Sequence, residues 1–231
     1  MKTCALIAAY NEEKTIKKVV FETLKYVDEL IVVDDGSTDK TFSIISNIKN
    51  KKLEIVSYPI NKGKGYALRQ GFKKFLEIGG NILVTLDADL QHNPKEINHI
   101  INLIKDDVSD VVIGSRYMKT MPRAKVFLNV LANINLLLAS GTFFSDVSSG
   151  YRAYSKKAIE KILPRLTLDR FGIELEILKA CVDGEMRVGI IPVGCDYKFG
   201  KKANLGKLFK GHFQFAWKYK KDIFNKLVGI K

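Results

Sequence analysis

Two acidic residues, one position apart, follow an apolar run in the middle of the chain. Residues 82–85 read ILVT, and residues 86–92 continue as LDADLQH. Neighbouring carboxylates repel each other and resist losing water, so Asp87 and Asp89 need either a cation or a solvated turn. Mg²⁺ and Mn²⁺ prefer oxygen ligands and leave positions open for substrate phosphates. The pair therefore predicts a Mg²⁺ or Mn²⁺ site that also binds a diphosphate, with Gln91 as a further oxygen ligand.

The alternative is a capped turn that leads into a helix near Pro94. Asn93 is a good N-cap residue for that helix, so a turn alone leaves the two acids unexplained. His92 and His99 have no partner His or Cys at metal-ligand spacing, and both are expected at the surface.

Short β-branched runs alternate along the chain with apolar residues at helical spacing. The predicted strands cover residues 3–9, 29–35, 53–58, 81–87, 110–115 and 188–193. The predicted helices cover residues 12–27, 39–50, 65–79 and 94–107. This alternation predicts an α/β fold with a mostly parallel central sheet and helices on both faces.

A polar cluster follows each of the first five predicted strands. The clusters read AAYNEE, DDGSTD, NKGKGYALRQG, DADLQH and GSR. Ligands of such sheets bind beyond the carboxyl ends of the strands, so these clusters should share one edge. Asp35 is then a candidate partner for a base or ribose, and Lys62 or Lys64 for a phosphate. The chain contains neither GxGxxG nor GxxxxGK[ST], which disfavours a dehydrogenase and a P-loop ATPase.

The composition is that of a folded protein with a strongly basic end. The 231 residues carry a formal net charge of +13, and residues 201–231 hold nine lysines and one acid. Three cysteines without CxxC spacing argue for a reducing compartment and against a disulfide framework or a zinc site. The apolar stretch at 126–144 is interrupted by Asn129, Asn133 and Asn135, so it predicts a buried or interfacial helix rather than a transmembrane one.

The basic end predicts an amphipathic helix. One helical face collects Phe209, Phe213, Ala216, Trp217, Ile223, Phe224 and Leu227, and lysines occupy much of the rest. This pattern is typical of a helix that lies in the interface of an anionic membrane, and the alternative is a terminal helix packed on the core. No motif supports a nucleic-acid partner. The predicted organisation is a catalytic domain at 1–204 and a membrane-associating tail at 205–231.

Six segments resemble a known family in their order and approximate spacing. AAYNEE, VVDDGSTDKT, NKGKGYALRQG, LDADLQHNP, GSRY and DVSSGYRAYS are similar to the motifs of family 2 glycosyltransferases with the Rossmann-like GT-A fold. Among these, the polyprenyl-phosphate glycosyltransferases are most similar, and DADLQH is typical of the dolichyl-phosphate mannose synthase branch. The resemblance covers residues 3–200.

The resemblance implies a role for each of several groups of residues. The nucleoside would be held by Ala8, Tyr10, Glu12, Val33 and Asp35. The metal and diphosphate would be surrounded by Asp87, Ala88, Asp89 and Gln91, with Asp89 as the direct ligand. The acceptor phosphate would meet Arg116, Lys125 and Asn129. The basic loop that usually closes over the diphosphate would supply Lys198, Lys201 and Lys202. The DxSSGYR-like segment, where sugar and acceptor should meet, contains Asp146, Ser149, Gly150 and Arg152.

The implied reaction moves a hexose, with inversion, from a nucleotide sugar to dolichyl or polyprenyl phosphate at the cytoplasmic face of a membrane. Mannose from GDP-mannose is favoured, while UDP-glucose and UDP-N-acetylglucosamine remain open. A phosphate monoester is largely dianionic at neutral pH and needs no side-chain base. Transfer to a glycan hydroxyl would need one, for which Asp146 is the candidate. A nucleotidyltransferase, which would normally open with a glycine-rich loop, and a non-catalytic membrane module are the remaining alternatives.

Overall fold

The computed structural model describes residues 1–170, 172–198 and 205–228. Within these residues one sheet has the strand order β3-β2-β1-β4-β6-β5-β7. Its strands are β1 Thr3–Ala9, β2 Glu29–Asp34, β3 Leu53–Ser57, β4 Ile82–Asp87, β5 Val111–Arg116, β6 Arg152–Ser155 and β7 Val188–Val193. The predicted strands are confirmed to within one residue at each end.

Among the described residues, β6 is the strand that the sequence pattern did not predict, and the helices Lys156–Ile162 and Ile173–Asp183 were not predicted either. Strand β6 has four residues, RAYS, and contains no apolar run. It lies antiparallel between β4 and β5, while the other pairs are parallel. Because β6 runs in the opposite direction, its first residue pairs with Thr85 and Ile113 near the carboxyl ends of β4 and β5. The segment before β6 is therefore delivered to the edge that carries the polar clusters.

Helices cover both faces of the sheet, as predicted. They are α1 Ile16–Thr23, α2 Thr41–Ser46, α3 Lys64–Glu77, α4 Ile97–Lys105, α5 Arg123–Ser140, α6 Lys156–Ile162, α7 Ile173–Asp183, α8 Leu205–Lys218 and α9 Lys220–Leu227. Successive residues of a strand point to opposite faces. Ile7 accordingly joins a core with α1 and α4, whereas Leu6 joins a second core with α3, α6 and α7.

The basic end of the chain forms two helices, and both pack on the rest of the protein. Phe215 of α8 is fully buried with Leu136 of α5 and Leu175 of α7, and Tyr219 and Ile223 pack against the same cluster. The predicted apolar face is split, because Ile223 turns inward while Phe209, Phe213, Trp217, Phe224 and Leu227 are exposed. The boundary predicted at residue 204 falls outside the described residues.

Helix α5 corresponds to the apolar stretch that was predicted to be buried or interfacial. Asn129 and Asn133 are buried, so two of the three asparagines that interrupt the stretch face the core. Its outer side exposes Phe127, Val130, Ile134 and Leu137. Within the parts of the chain that the structure describes, no helix has both the length and the apolar character needed to cross a bilayer.

Candidate active site

A cavity of about 310 Å³ lies at the carboxyl ends of β1, β2 and β4. Of the residues predicted to bind the donor, it is lined by Ala8, Tyr10, Glu12, Asp35, Asp87, Ala88 and Asp89. The parallel strands β1, β2 and β4 end at this edge, so segments distant in sequence meet there. The polar clusters after these strands therefore form one site.

The first acid of the pair, Asp87, is neutralised by a lysine. Lys64 Nζ lies 2.7 Å from Asp87 Oδ1 and 3.0 Å from Glu174 Oε1. Burial opposes ionisation of Asp87, but the Lys64 ammonium outweighs it and holds the pKa of Asp87 below its usual range. Gly150 makes room for this network, since a Cβ there would lie 3.0 Å from Asp87 Oδ2 and 3.1 Å from Lys64 Nζ.

The second acid, Asp89, has no such compensation. Its Oδ1 accepts a hydrogen bond from the Gln91 backbone N–H at 3.1 Å, and no Lys or Arg of the described ranges forms an ion pair with it. Burial, together with the negative charge of Asp87, raises the pKa of Asp89 to about 6. Ionising Asp89 in the folded protein costs free energy, so a cation that stabilises the carboxylate is favoured. The oxygen ligands of these residues fit Mg²⁺ or Mn²⁺. No cluster of three His, Cys, Asp or Glu side chains with metal-binding geometry occurs among the described residues.

At the nucleoside end of the cavity, Asp35 organises the turn before α3. Its buried carboxylate accepts hydrogen bonds from Tyr58 Oη and Asn61 Nδ2 and from the backbone N–H groups of Lys62 and Gly63. Lys62 Nζ lies over the Tyr66 ring, 4.5 Å from its centroid.

Val33 differs from the other predicted nucleoside residues. Its side chain is fully buried in the core beneath the cavity and does not line it, so contact of this side chain with the nucleoside is not supported.

The predicted acceptor side centres on a buried ion pair. Arg116 Nε and Nη2 donate to the two oxygens of Asp146, each at 2.8 Å, and Arg116 Nη2 also donates to Ser148 Oγ at 3.0 Å. Burial opposes ionisation of Asp146, but the hydrogen bonds from Arg116 hold the pKa of Asp146 below its usual range. An ion-paired carboxylate with a depressed pKa is a poor proton acceptor. The geometry therefore favours a role for Asp146 in positioning Arg116 over the predicted role of a base.

Two more predicted binding residues are occupied by contacts within the protein. Asn129 donates to Ser145 O and accepts from the Ser148 N–H, so it holds the turn that contains Asp146. Arg152 is almost fully buried, and its guanidinium donates to backbone carbonyls of Val147, Ser149 and Glu174. Because Arg152 is 1% exposed, it offers a substrate almost no surface in this structure, and the predicted contact stays a prediction.

Lys125 joins the acceptor side to the donor side. Its Nζ donates to Gln91 Oε1 at 3.1 Å and lies over the Tyr197 ring, 4.8 Å from its centroid. Lys198 is exposed, while Lys201 and Lys202 lie outside the described residues.

The expectation for His92 is wrong, because its ring is buried and stacks on Tyr151 with centroids 4.9 Å apart. Burial lowers the pKa of His92 to about 4. His99 is exposed, as predicted.

Sequence reasoning missed Glu174 and Arg170. Glu174 holds the ammonium of Lys64, and Arg170 lines the donor cavity. An acid in the first turn of a helix is ordinary, because it interacts favourably with the helix dipole, so Glu174 carries no distinctive local signal.

Comparison with known proteins identifies the family. The family described as Glycosyl transferase family 2 matches residues 4–163. The chain belongs to glycosyltransferase family 2. This family 2 glycosyltransferase is 34% identical over 212 residues to the UDP-N-acetylglucosamine–dolichyl-phosphate N-acetylglucosaminyltransferase of Methanococcus voltae, covering 83% of this chain and 84% of the relative. It is 29% identical over 203 residues to the polyprenol monophosphomannose synthase of Mycolicibacterium smegmatis, covering 83% of this chain and 76% of the relative.

Solved structures confirm the GT-A fold of this glycosyltransferase. Glucosyl-3-phosphoglycerate synthase from Mycobacterium tuberculosis, solved in complex with Mn²⁺, UDP and glucosyl-3-phosphoglycerate, matches with a TM-score of 0.73 at 22% identity. That match covers 100% of this chain and 81% of the other. Mannosyl-3-phosphoglycerate synthase from Rubrobacter xylanophilus matches with a TM-score of 0.69 at 14% identity, covering 100% of this chain and 76% of the other.

The Arg116–Asp146 pair predicts a large stability effect. The Asp146 side chain has 0% and the Arg116 side chain 9% relative exposure, so Asp146→Asn leaves a buried guanidinium without its anion. We expect a loss of about 3 kcal/mol in the free energy of unfolding, measured by urea denaturation. Asp107→Asn, at the exposed pair with Arg187, is the control and should cause no measurable loss. A loss below about 1 kcal/mol for Asp146→Asn would contradict the importance of the pair.

The raised pKa of Asp89 predicts that Asp89→Asn increases the free energy of unfolding in metal-free buffer, by an amount that depends on pH. Ionised Asp89 destabilises the folded state above a pH of about 6, and below about pH 4 it is protonated in both states. The substitution should therefore add about 1–3 kcal/mol to the free energy of unfolding at pH 7.5, and the gain should vanish near pH 4. Exposed Asp106 provides the control variant Asp106→Asn. A loss of stability at pH 7.5 would show that the carboxylate is already compensated.

Proposed function

We propose that this glycosyltransferase moves a hexose from a nucleotide sugar to the phosphate of a dolichyl or polyprenyl lipid, with inversion at the anomeric carbon. The observation that carries the proposal is the contact between an acidic donor site and a cationic site beside it. Gln91 follows the Asp87–Asp89 pair and accepts a hydrogen bond from Lys125, and the positive charge of Arg116 acts on Asp87. An anionic acceptor bound by the cations would thus lie beside the donor.

The donor half of the site suits a metal-bound nucleoside diphosphate. Asp89 would be the direct ligand of Mg²⁺ or Mn²⁺, with Asp87 and Gln91 beside it. The bound ion supplies positive charge that stabilises the leaving nucleoside diphosphate. Lys64 keeps Asp87 ionised and held in one orientation, and the turn that Asp35 organises forms the nucleoside end of the cavity.

The acceptor half suits a phosphate rather than a sugar hydroxyl. A phosphate monoester is mostly dianionic at neutral pH, so it needs orientation and charge neutralisation but no proton acceptor. Arg116 and Lys125 supply the cations, and Asp146 fixes the Arg116 guanidinium. The two relatives whose names include dolichyl phosphate or polyprenol support a lipid-linked acceptor.

The donor sugar is the finer part of the proposal. The resemblance of LDADLQH to the mannose synthase branch supports GDP-mannose, and so does the name of the Mycolicibacterium relative. The name of the Methanococcus relative favours UDP-N-acetylglucosamine as a second candidate.

An exposed apolar surface supports a place at the membrane. Phe127, Val130, Ile134 and Leu137 line the outer side of α5, and the Phe127 ring lies 6.3 Å from that of Phe209 on α8. Phe213 and Trp217 continue this surface along α8. We call these residues of α5 and α8 the apolar surface, and we propose that it lies peripherally in the head-group region of the cytoplasmic leaflet.

A transfer assay with purified protein tests the reaction. GDP-mannose, UDP-glucose and UDP-N-acetylglucosamine are each supplied with polyprenyl phosphate or with soluble saccharides, in the presence of Mn²⁺ or EDTA. We expect one donor to give a lipid-linked sugar, no transfer to saccharides, and a loss of at least about 100-fold for Asp89→Asn. The matched acid substitution Asp106→Asn should keep full activity. Transfer to saccharides alone would contradict the proposed acceptor, and unchanged activity of Asp89→Asn would contradict the metal site.

Vesicle binding tests the apolar surface separately. Phe213→Ala together with Trp217→Ala removes two exposed aromatic rings, so we expect at least about tenfold weaker binding to vesicles that contain anionic lipid. Phe42→Ala removes an exposed ring on α2, away from the apolar surface, and should bind like the wild type. Equal binding by the double variant and the wild type would contradict the membrane assignment.

A further inference from the structure

One wall of the donor cavity is a loop that precedes α7. Arg170 of this loop lines the cavity, and Asp169 O accepts a hydrogen bond from the Tyr66 backbone N–H at 3.0 Å. We call residues 167–170 the wall loop. Its backbone approaches the first turn of α3 closely, because a Cβ on Gly65 would lie 2.1 Å from Leu168 O. The backbone of the wall loop therefore restricts the position of the first turn of α3.

The first turn of α3 is itself part of the donor site. Lys64 belongs to that turn and makes the ion pair with Asp87. Gly63, which precedes it, donates its N–H to Asp35 at 2.9 Å, and a Cβ on Gly63 would lie 2.6 Å from Asp169 O. A displacement of the wall loop would therefore move Lys64 at the Asp87 end of the donor cavity and Gly63 at the Asp35 end.

A buried carboxylate on α7 holds the wall loop in place. Glu176 is fully buried and accepts hydrogen bonds from the Thr167 N–H at 3.0 Å, Thr167 Oγ1 at 3.2 Å and the Leu168 N–H at 2.9 Å. A carboxylate in such a position needs a cation, because its desolvation is costly and hydrogen bonds compensate only part of it.

The cation comes from the C-terminal helix α8. Lys218 Nζ forms an ion pair with Glu176 and donates a hydrogen bond to Thr167 Oγ1 at 2.6 Å. Helix α8 also packs directly on the start of α7, since a Cβ on Gly172 would lie 2.8 Å from Gly211 O. The packing of α8 on α7 thus keeps Lys218 next to Glu176, the residue that fixes the wall loop.

We propose that Lys218 is a positioning residue for the donor nucleotide, acting through Glu176 and the wall loop although it does not line the cavity. The inference rests on the proposed function in so far as the cavity binds a metal–nucleotide complex. It assigns α8 a second role, because Phe213 and Trp217 of the same helix belong to the apolar surface. The helix proposed to contact lipid is then also a support of the donor site.

The test measures nucleotide binding by isothermal titration calorimetry without lipid, with GDP or UDP and Mn²⁺ as the probes. Lys218→Met should weaken binding at least fivefold, and Lys218→Arg should return it to within twofold of the wild type. Lys210→Met removes an equal charge from the exposed side of α8 and is the matched control, with unchanged affinity. A merely stabilising role would lower the melting temperature and leave the affinity of the folded protein unchanged.

Hydrogen exchange of the wild-type protein tests the same coupling if Lys218→Met does not fold. Coupling between two sites is reciprocal, so nucleotide with Mn²⁺ should increase the protection of amides at 166–170 and 211–218. Protection confined to the segments around Tyr10, Lys64 and Asp89 would overturn the inference. Equal affinity of Lys218→Met and the wild type would also overturn it and leave the proposed function standing. Absence of metal–nucleotide binding by the wild type would overturn both.

Discussion

Two carboxylates share one cavity at the end of β4, and the structure compensates them unequally. Lys64 neutralises Asp87 and is itself held by Glu174 at the start of α7. No Lys or Arg of the described residues forms an ion pair with Asp89, and burial and the neighbouring acid make its negative charge costly. This asymmetry favours a bound cation next to Asp89. Gly150 contributes to this arrangement, because the absence of a Cβ there lets Asp87 and Lys64 approach each other.

The acceptor side follows a different electrostatic rule. There the protein itself supplies a counter-ion, because Asp146 accepts two hydrogen bonds from the Arg116 guanidinium. Such a pair fixes the direction of the guanidinium, while the carboxylate offsets part of its positive potential. Lys125 donates to a neutral amide instead of a carboxylate, so that contact does not offset its positive charge towards an anionic ligand. The short antiparallel strand β6 makes this arrangement possible, since it brings the turn at 145–150 between β4 and β5.

The strands and the grouping of polar residues at their carboxyl ends could be predicted from the sequence because their signals are local. Apolar runs mark β1 to β5 and β7, and the chemistry lies in the residues that directly follow them. The contacts that escaped prediction join distant parts of the chain. Arg152 donates to the carbonyl of Glu174, 22 residues away, and His92 is covered by Tyr151. A four-residue strand that starts with an arginine has no periodic signal, so β6 could not be predicted from its pattern.

We propose that Asp89 binds a divalent cation together with the diphosphate of the donor. Crystals grown with Mn²⁺ and a nucleoside diphosphate allow the metal to be located by anomalous diffraction at the manganese edge. We expect an anomalous peak about 2 Å from an Asp89 carboxylate oxygen, with diphosphate oxygens as the other ligands. A nucleotide bound in the cavity with manganese elsewhere, or with none, would contradict it.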